Sequence, residues 1–250
     1  MADIRKSHAS EGGDAAPFDA RRRTRQGEHR FPPAAAVLVA GVVYATLPSS
    51  LTLGPRYIVP AVEAVLLVAL VASNPVRLVR QTRSSRWVSI GLAGIVVLTN
   101  LFSLGLLVSA VADPKAPAGS LLVAAMQVWL TNVIGFALLF WELDRGGPVA
   151  RHELPRHAMP LADLRFSHDE DHDAVDEVRR GSSKDAGWVP VFVDYLYVSL
   201  TNSSAFSPTD TMPLTSRLKI LMGIEATAAL LTSLIVVARA VGSLGGGGGG

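Results

Sequence analysis

The sequence contains no cysteine, which excludes disulfides, thiolate catalysis and cysteine-ligated metals. Charge is scarce as well: 18% of residues are charged, where a soluble domain carries about 25%. The glycine run at the C-terminus is not followed by Lys-Ser or Lys-Thr, so it is not a phosphate-cradling loop. No activated nucleophile or pair of catalytic carboxylates stands out. Neither an enzyme activity nor a cofactor nor a bound metal is expected. The first 30 residues lack an apolar core followed by a small-residue cleavage site, so they do not read as a signal peptide.

What the chain has instead is apolar length. Of its 250 residues 49% are hydrophobic, mean hydropathy is +0.34, and the apolar residues come in long blocks. That pattern predicts an all-α, polytopic transmembrane bundle of five to six spans. Residues 1–30 read as a disordered basic tail held near the anionic lipid of the inner leaflet. The acids interspersed in that tail dilute its basic field, and no nucleic-acid partner is expected. Residues 31–141 hold four spans, at about Pro33–Leu53, Tyr57–Ser73, Trp87–Ala112 and Ser120–Trp141. Residues 142–187 form an acidic, histidine-containing loop, 188–242 a polar helix, a short loop and a final apolar helix ending near Val241, and 243–250 a flexible glycine tail. Trp87, Trp129 and Trp141 are expected as interfacial anchors.

Orientation follows from lysine and arginine in the loops. The tail carries seven, residues 74–86 four and residues 142–187 seven, whereas the turns holding Arg56 and Lys115 carry one each. This places the N-terminus and the 142–187 loop in the cytoplasm of a cell with the chain in its inner (plasma) membrane. Residues 188–206 are then expected to cross as a sixth helix. Nineteen residues span about 28 Å, but they include Asp194, Asn202 and several hydroxyls, which must face protein or water. A re-entrant pore loop is the open alternative.

The stretch WVPVFVDYLYVSLTNSSAFSPTDTMPLTSRLKILMGIEATAALLTSLIVVARAVG, from Trp188 to Gly242, carries a resemblance. Tyr197 lies thirteen residues before Asp210, Glu225 fifteen after it and Arg239, preceded by Ala238, twenty-nine after it. This spacing resembles the pore helix, filter aspartate and inner helix of two-helix potassium channels. The filter departs from that family: Ala205-Phe206-Ser207-Pro208-Thr209 stands where T-V-G-Y-G belongs, without the glycines whose backbone freedom the carbonyl rings require. A non-potassium-type pore loop is therefore expected, with oxygens from Thr201, Asn202, Ser203, Ser204 and Ser207 and a narrowing at Phe206. Asp210 would lie at the mouth, and Glu225 would support the loop from the inner helix. Because one such unit cannot enclose a conduit, a homo-oligomer conducting a monovalent ion is implied, a tetramer if the potassium-channel likeness holds. The same stretch also resembles a family of multi-pass bacterial membrane proteins of unknown function, through Tyr197, Ser199, Thr201, Phe206, Asp210 and Arg217.

Glu63 and Glu225 are the two acids inside apolar spans, and a charge there is by default a functional hypothesis. Asn100, Gln127 and Asn132 are expected to bond between helices. Arg217 and Lys219 read as a cationic rim or an interfacial anchor. His168 and His172 flank an acidic run that reads as a hydrated segment rather than a metal site. The rival to an ion channel-like protein is a non-conducting membrane scaffold or sensor.

Overall fold

A computed structural model describes residues 27–73, 77–78, 82–112, 117–170, 175–205 and 211–245. The chain is mostly helical. In order, the helices are α1 (Phe31–Ala45), α2 (Ile58–Ser73), α3 (Arg83–Val111), α4 (Ala118–Leu143), the short α5 (Pro148–Glu153) and α6 (Asp176–Arg179), then α7 (Phe192–Ala205) and α8 (Ser216–Gly245). Three stretches are long and apolar enough to cross a membrane: Arg83–Val111, Gly119–Gly146 and Ser216–Val241. The two apolar helices before them are shorter, with 15 residues in α1 and 16 in α2. Pro32 and Pro33 sit in the first turn of α1, where their missing N–H groups cost nothing. Pro48 lies just beyond its end and fixes the turn toward residue 51. The expected continuation of the first span to Leu53 is therefore a short 3₁₀ turn over Ser49–Leu51.

The bundle is organised around α4, which packs against α1, α3, α7 and α8. Every residue from Thr131 to Glu142 is buried, as expected of a helix apolar on all sides. The close approach of α3 depends on Gly135, where a Cβ would come within 3.1 Å of Val97 and 3.2 Å of Val96. Thr82 and Ser85 form a reciprocal capping box that starts α3. Asn100 Nδ2 on α3 donates to the carbonyl of Val128 on α4 at 2.7 Å, and Gln127 Nε2 on α4 donates to Thr46 Oγ1 at the end of α1 at 2.8 Å.

One end of the bundle is closed by a cap built mainly from residues 144–191. Two small antiparallel pairings fix its edges. β1 (Glu28–His29) pairs with β2 (Arg77–Leu78), and β3 (Leu164–Arg165) with β4 (Met212–Pro213). The second pairing decides the path of α7. Its first residue, Phe192, packs edge-on against Trp141 with ring centroids 5.9 Å apart, so α7 starts at the cap. The chain is back at the cap by Met212. Leu214 N donates to Asp163 O at 2.7 Å, Thr215 Oγ1 donates to Asp163 Oδ1 at 2.5 Å, and Arg217 closes an ion pair with Asp163. A helix of 14 residues is about 21 Å long. About seven residue steps separate its end from Met212, a reach of at most about 25 Å. α7 therefore starts at the cap and ends inside the bundle beside Glu225, and the chain is at the cap again at Met212, where a sixth crossing over residues 188–206 would have left it at the opposite end; residues 206–210 lie outside the described residues. Loop charge orients spans but is silent about a helix that ends inside the bundle.

Much of the acidic, histidine-containing 142–187 loop is built into the cap. Arg151 is fully buried and its Nη1 donates to the carbonyls of Trp141 at 2.7 Å and Asp144 at 2.9 Å. It thereby serves the end of α4, where helix carbonyls lack partners of their own. Its guanidinium stacks over Tyr195, 4.9 Å from the ring centre. Glu28, which the sequence assigned to a disordered tail, is buried at the same junction. It accepts from Trp141 Nε1 at 3.0 Å and from the backbone N–H of Phe192 at 2.6 Å. Trp141 is thus a buried tie rather than an interfacial anchor, whereas Trp87 is exposed. The expectation for residues 1–26 lies outside the described residues. Residues 153–158 and 175–181 of the loop stand in solvent.

Candidate functional site

The polar residues of α7 are sorted by the helix turn. Asp194 sits in the first turn, and its Oδ2 accepts the N–H of Val191 at 2.8 Å, a reach-back that satisfies one of the orphan donors at a helix start. Val193, Tyr197, Leu200 and Ser204 form an exposed stripe, with Thr201 half-buried beside it. Tyr195, Ser199, Asn202 and Ser203 are buried against α4 and α8. Successive residues on a helix point about 100° apart, so Thr201, Asn202, Ser203 and Ser204 cannot all face one conduit. Of the oxygen donors expected from the sequence, Thr201 and Ser204 lie at the outward side, and Asn202 and Ser203 are turned in. Phe206, Ser207 and Asp210 lie outside the described residues.

The inward groups converge on Glu225 of α8, which is 0% exposed. Asn202 Nδ2 donates to Glu225 Oε2 at 2.6 Å and to the Met222 carbonyl at 3.0 Å. Ser203 Oγ reaches Glu225 Oε1 at 3.1 Å, and Ser199 Oγ bonds the same oxygen. Ser199 also lies 2.8 Å from the carbonyl of Val133. Asn132 on α4 completes the cluster, its Nδ2 at 3.3 Å from the Glu225 carbonyl and 3.5 Å from Ser203 Oγ. Val133 is ten residues from the end of α4, about 15 Å along the helix. A carboxyl group is therefore held deep in the bundle by neutral side-chain donors, and among the described residues no lysine or arginine pairs with it. Asn132 Oδ1 in the cluster is buried without a hydrogen-bond partner, as are Asn100 Oδ1 and Ser103 Oγ on α3. Buried oxygens of this kind suit ordered water.

Glu63, the other acid expected inside an apolar span, is 3% exposed and packs against α1. Its Oε2 has no hydrogen-bond partner, and a Cβ at Gly41 would lie 3.2 Å from it. It is separate from the Glu225 cluster. His168 stacks on Trp188, with ring centres 4.2 Å apart and planes 11° from parallel. His172 lies outside the described residues, and among the described residues no group of three His, Asp or Glu side chains is placed to hold a metal ion.

The cap positions the first turn of α7 through a second polar network that the sequence did not reveal. Asp144 Oδ2 accepts from Tyr195 OH at 2.6 Å, and its Oδ1 from the N–H groups of Asp163 at 2.7 Å and Leu164 at 3.2 Å. Burial raises the pKa of Glu28, against the opposing pull of Arg151 and the Trp141 N–H. Burial, aided by Arg151, pushes His152 down to about 4, so its 3.8 Å approach to Glu28 is a contact of a neutral ring near pH 7. For Asp169, burial works upward but is outweighed by Arg145, Ser183 and the Phe166 N–H, which hold it below the usual carboxylate value. The one signal for this network in the sequence is D-R-G-G-P straight after an apolar span. Comparison with family models, with curated proteins and with solved structures finds no match.

Proposed function

We propose that the chain is a multi-pass protein of a bacterial inner membrane with five crossings, α1 to α4 and α8, and one re-entrant helix, α7. In this reading it is an ion channel-like protein whose conduit is completed by further copies of itself, four if the potassium-channel likeness extends to stoichiometry. The observation that carries the reading is the path of α7: a half-length helix that starts at the cap, ends among polar groups deep in the bundle, and is followed by a return to the cap. Irregular backbone at membrane depth is tolerated only where protein or water surrounds it.

The excess of lysine and arginine lies on the cap side, in the tail, residues 74–86 and residues 142–187, which argues for a cytoplasmic cap. The loop would then enter from the cytoplasm, opposite to the potassium channels its spacing resembles. The outward side of α7, with Ser204 and Thr201 at its deep end, would face the conduit. Glu225 would anchor the helix from behind, and Asp210 would lie on the returning limb. The lipid bilayer is the other partner, covering the exposed apolar faces of α3 and α8.

The test is reconstitution of the purified chain into liposomes carrying potassium, sodium or proton gradients, together with its mass in mild detergent. The expected result is an oligomer and a flux above protein-free liposomes that Ser204→Trp blocks. A monomer without flux of any of these ions would overturn it. The non-conducting scaffold is favoured by one observation, that Ser199, Asn202 and Ser203 spend their hydrogen bonds inside the bundle, and it takes the lead on that outcome.

A further inference from the structure

On the outer surface of the cap a cleft of about 370 Å³ opens between the turn after α4, the 156–165 segment and the approach to α8. Its polar lining is Arg145, Arg156, Arg165 and Asp169, and its rim is apolar, including Leu161 and Leu214. The carboxylates near these arginines are already engaged. Asp144 receives two backbone N–H groups and the Tyr195 hydroxyl. Asp169 receives Arg145 Nη2 at 2.5 Å, Ser183 Oγ at 2.6 Å and the Phe166 N–H at 3.0 Å. Arg165 pairs with Glu170 at 2.8 Å on the surface. Arg156 is left without a carboxylate within 4.0 Å among the described residues, and its Nη2 donates to the Trp188 carbonyl at 2.6 Å.

Two further features point to a ligand. Arg145 is 4% exposed, and its Nε, 3.5 Å from Asp144 Oδ2, makes no hydrogen bond; the Nε of Arg165 is also buried without one. Arg145 also takes a left-handed backbone, with φ 50° and ψ 30°, although Gly146 and Gly147 follow it directly. A left-handed residue with a Cβ is strained, and such strain gathers at functional positions. Here it holds a guanidinium that lines the same cleft as Arg156. Guanidinium groups gathered over a cavity are what a phosphate group meets in a binding site.

We propose that this cleft binds a phosphate group, that of an anionic phospholipid, with Arg156 and Arg145 on the phosphate oxygens and the apolar rim on the start of the acyl chains. Leu161 is 90% exposed and Leu214 50%, and Leu214 stands two residues before α8, where that helix would leave the membrane. The leaflet follows from the orientation proposed above, because anionic lipid is concentrated on the cytoplasmic side. The binding chemistry is independent of conduction.

The test uses the full chain in neutral detergent, titrated with short-chain phosphatidylglycerol, short-chain phosphatidylcholine and inorganic phosphate, with binding read by native mass spectrometry. Phosphatidylglycerol should bind, phosphatidylcholine should not, and Arg156→Ala should weaken binding about tenfold or more. Arg156→Lys should fall between, because lysine keeps the charge but loses the planar fork. Arg179→Ala, on an exposed part of the cap, serves as the control and should bind like the parent. Arg156 is itself exposed, so its variants should fold, which an unchanged melting curve verifies. Inorganic phosphate binding as tightly as the lipid, with the same dependence on Arg156, would support the site and assign it to a free anion. Equal binding by the parent and Arg156→Ala, or equal binding of the two lipids, would overturn the proposal.

Discussion

Replacing Glu225 tests whether the polar cluster is what seats α7 in the bundle. Glu225→Ala removes the acceptors of Asn202, Ser203 and Ser199 together and empties a fully buried site. Ser199 can fall back on the Val133 carbonyl at 2.8 Å and Asn202 on Met222 at 3.0 Å, so not every donor is orphaned. One unsatisfied buried donor costs about 1–3 kcal/mol, and truncation to a cavity adds a further term of similar size. Together they predict a loss of about 3–5 kcal/mol, or on the order of 10 °C in melting temperature for a chain of this length. Glu225→Gln should differ sharply. Its amide keeps an acceptor for Asn202 and presents donors to the two hydroxyls, which can rotate to accept, so the expected loss is about 1 kcal/mol or less. Thermal unfolding in detergent, followed by tryptophan fluorescence and circular dichroism, separates the two. An Ala variant that melts with the parent, or a Gln variant that falls as far as the Ala variant, would refute the reasoning.

Other substitutions probe the bundle and the cap. Ser103 Oγ is buried without a partner, so Ser103→Ala should be neutral or stabilising by up to about 1 kcal/mol, read from the same melting curves. At Gly135 any larger side chain meets Val96 and Val97, and Gly135→Leu should cost about 1–3 kcal/mol or more, with Gly135→Ala less severe. His152 has a folded-state pKa of about 4 against 6.5 unfolded, so the unfolded chain takes up the proton first as pH falls. Its contribution to stability is retained above about pH 6.5 and lost on acidification toward 4, on the order of 3 kcal/mol. His152→Gln should flatten that part of a pH–melting profile, and an unchanged profile would contradict the assignment. Glu28 shifts upward and acts in the opposite sense above 4.5, so the comparison is best repeated on a Glu28→Gln background.

The long helices were legible because an apolar run of that length fits a membrane span and little else. The three longest lie within a few residues of their expected bounds, and the acid at Glu225 was visible as the odd residue in its run. The partners of that acid were visible only as a polar string. Which of Thr201, Asn202, Ser203 and Ser204 turn inward depends on how α7 is rotated against α4 and α8, which hydropathy does not encode. The cap was hidden for a related reason. Asp144, Arg151 and Asp163 are ordinary loop charges in the sequence, and only contacts across up to 164 residues, as between Glu28 and Phe192, make them interior. The two-residue pairing of β3 with β4 is too short to leave a period, yet it is what returns the chain to the cap.

That return is most directly tested by the sidedness of single cysteines in this cysteine-free chain, placed at the exposed positions Ser50, Ser167 and Ser216 and labelled with a membrane-impermeant thiol reagent on intact and on opened cells. Ser167 and Ser216 lie on the cap side and Ser50 at the other end of the bundle. The account predicts that Ser50 labels on intact cells, and that Ser167 and Ser216 label only after opening. Ser167 and Ser216 labelling from opposite sides of the membrane would contradict it, because α7 would then be a full crossing.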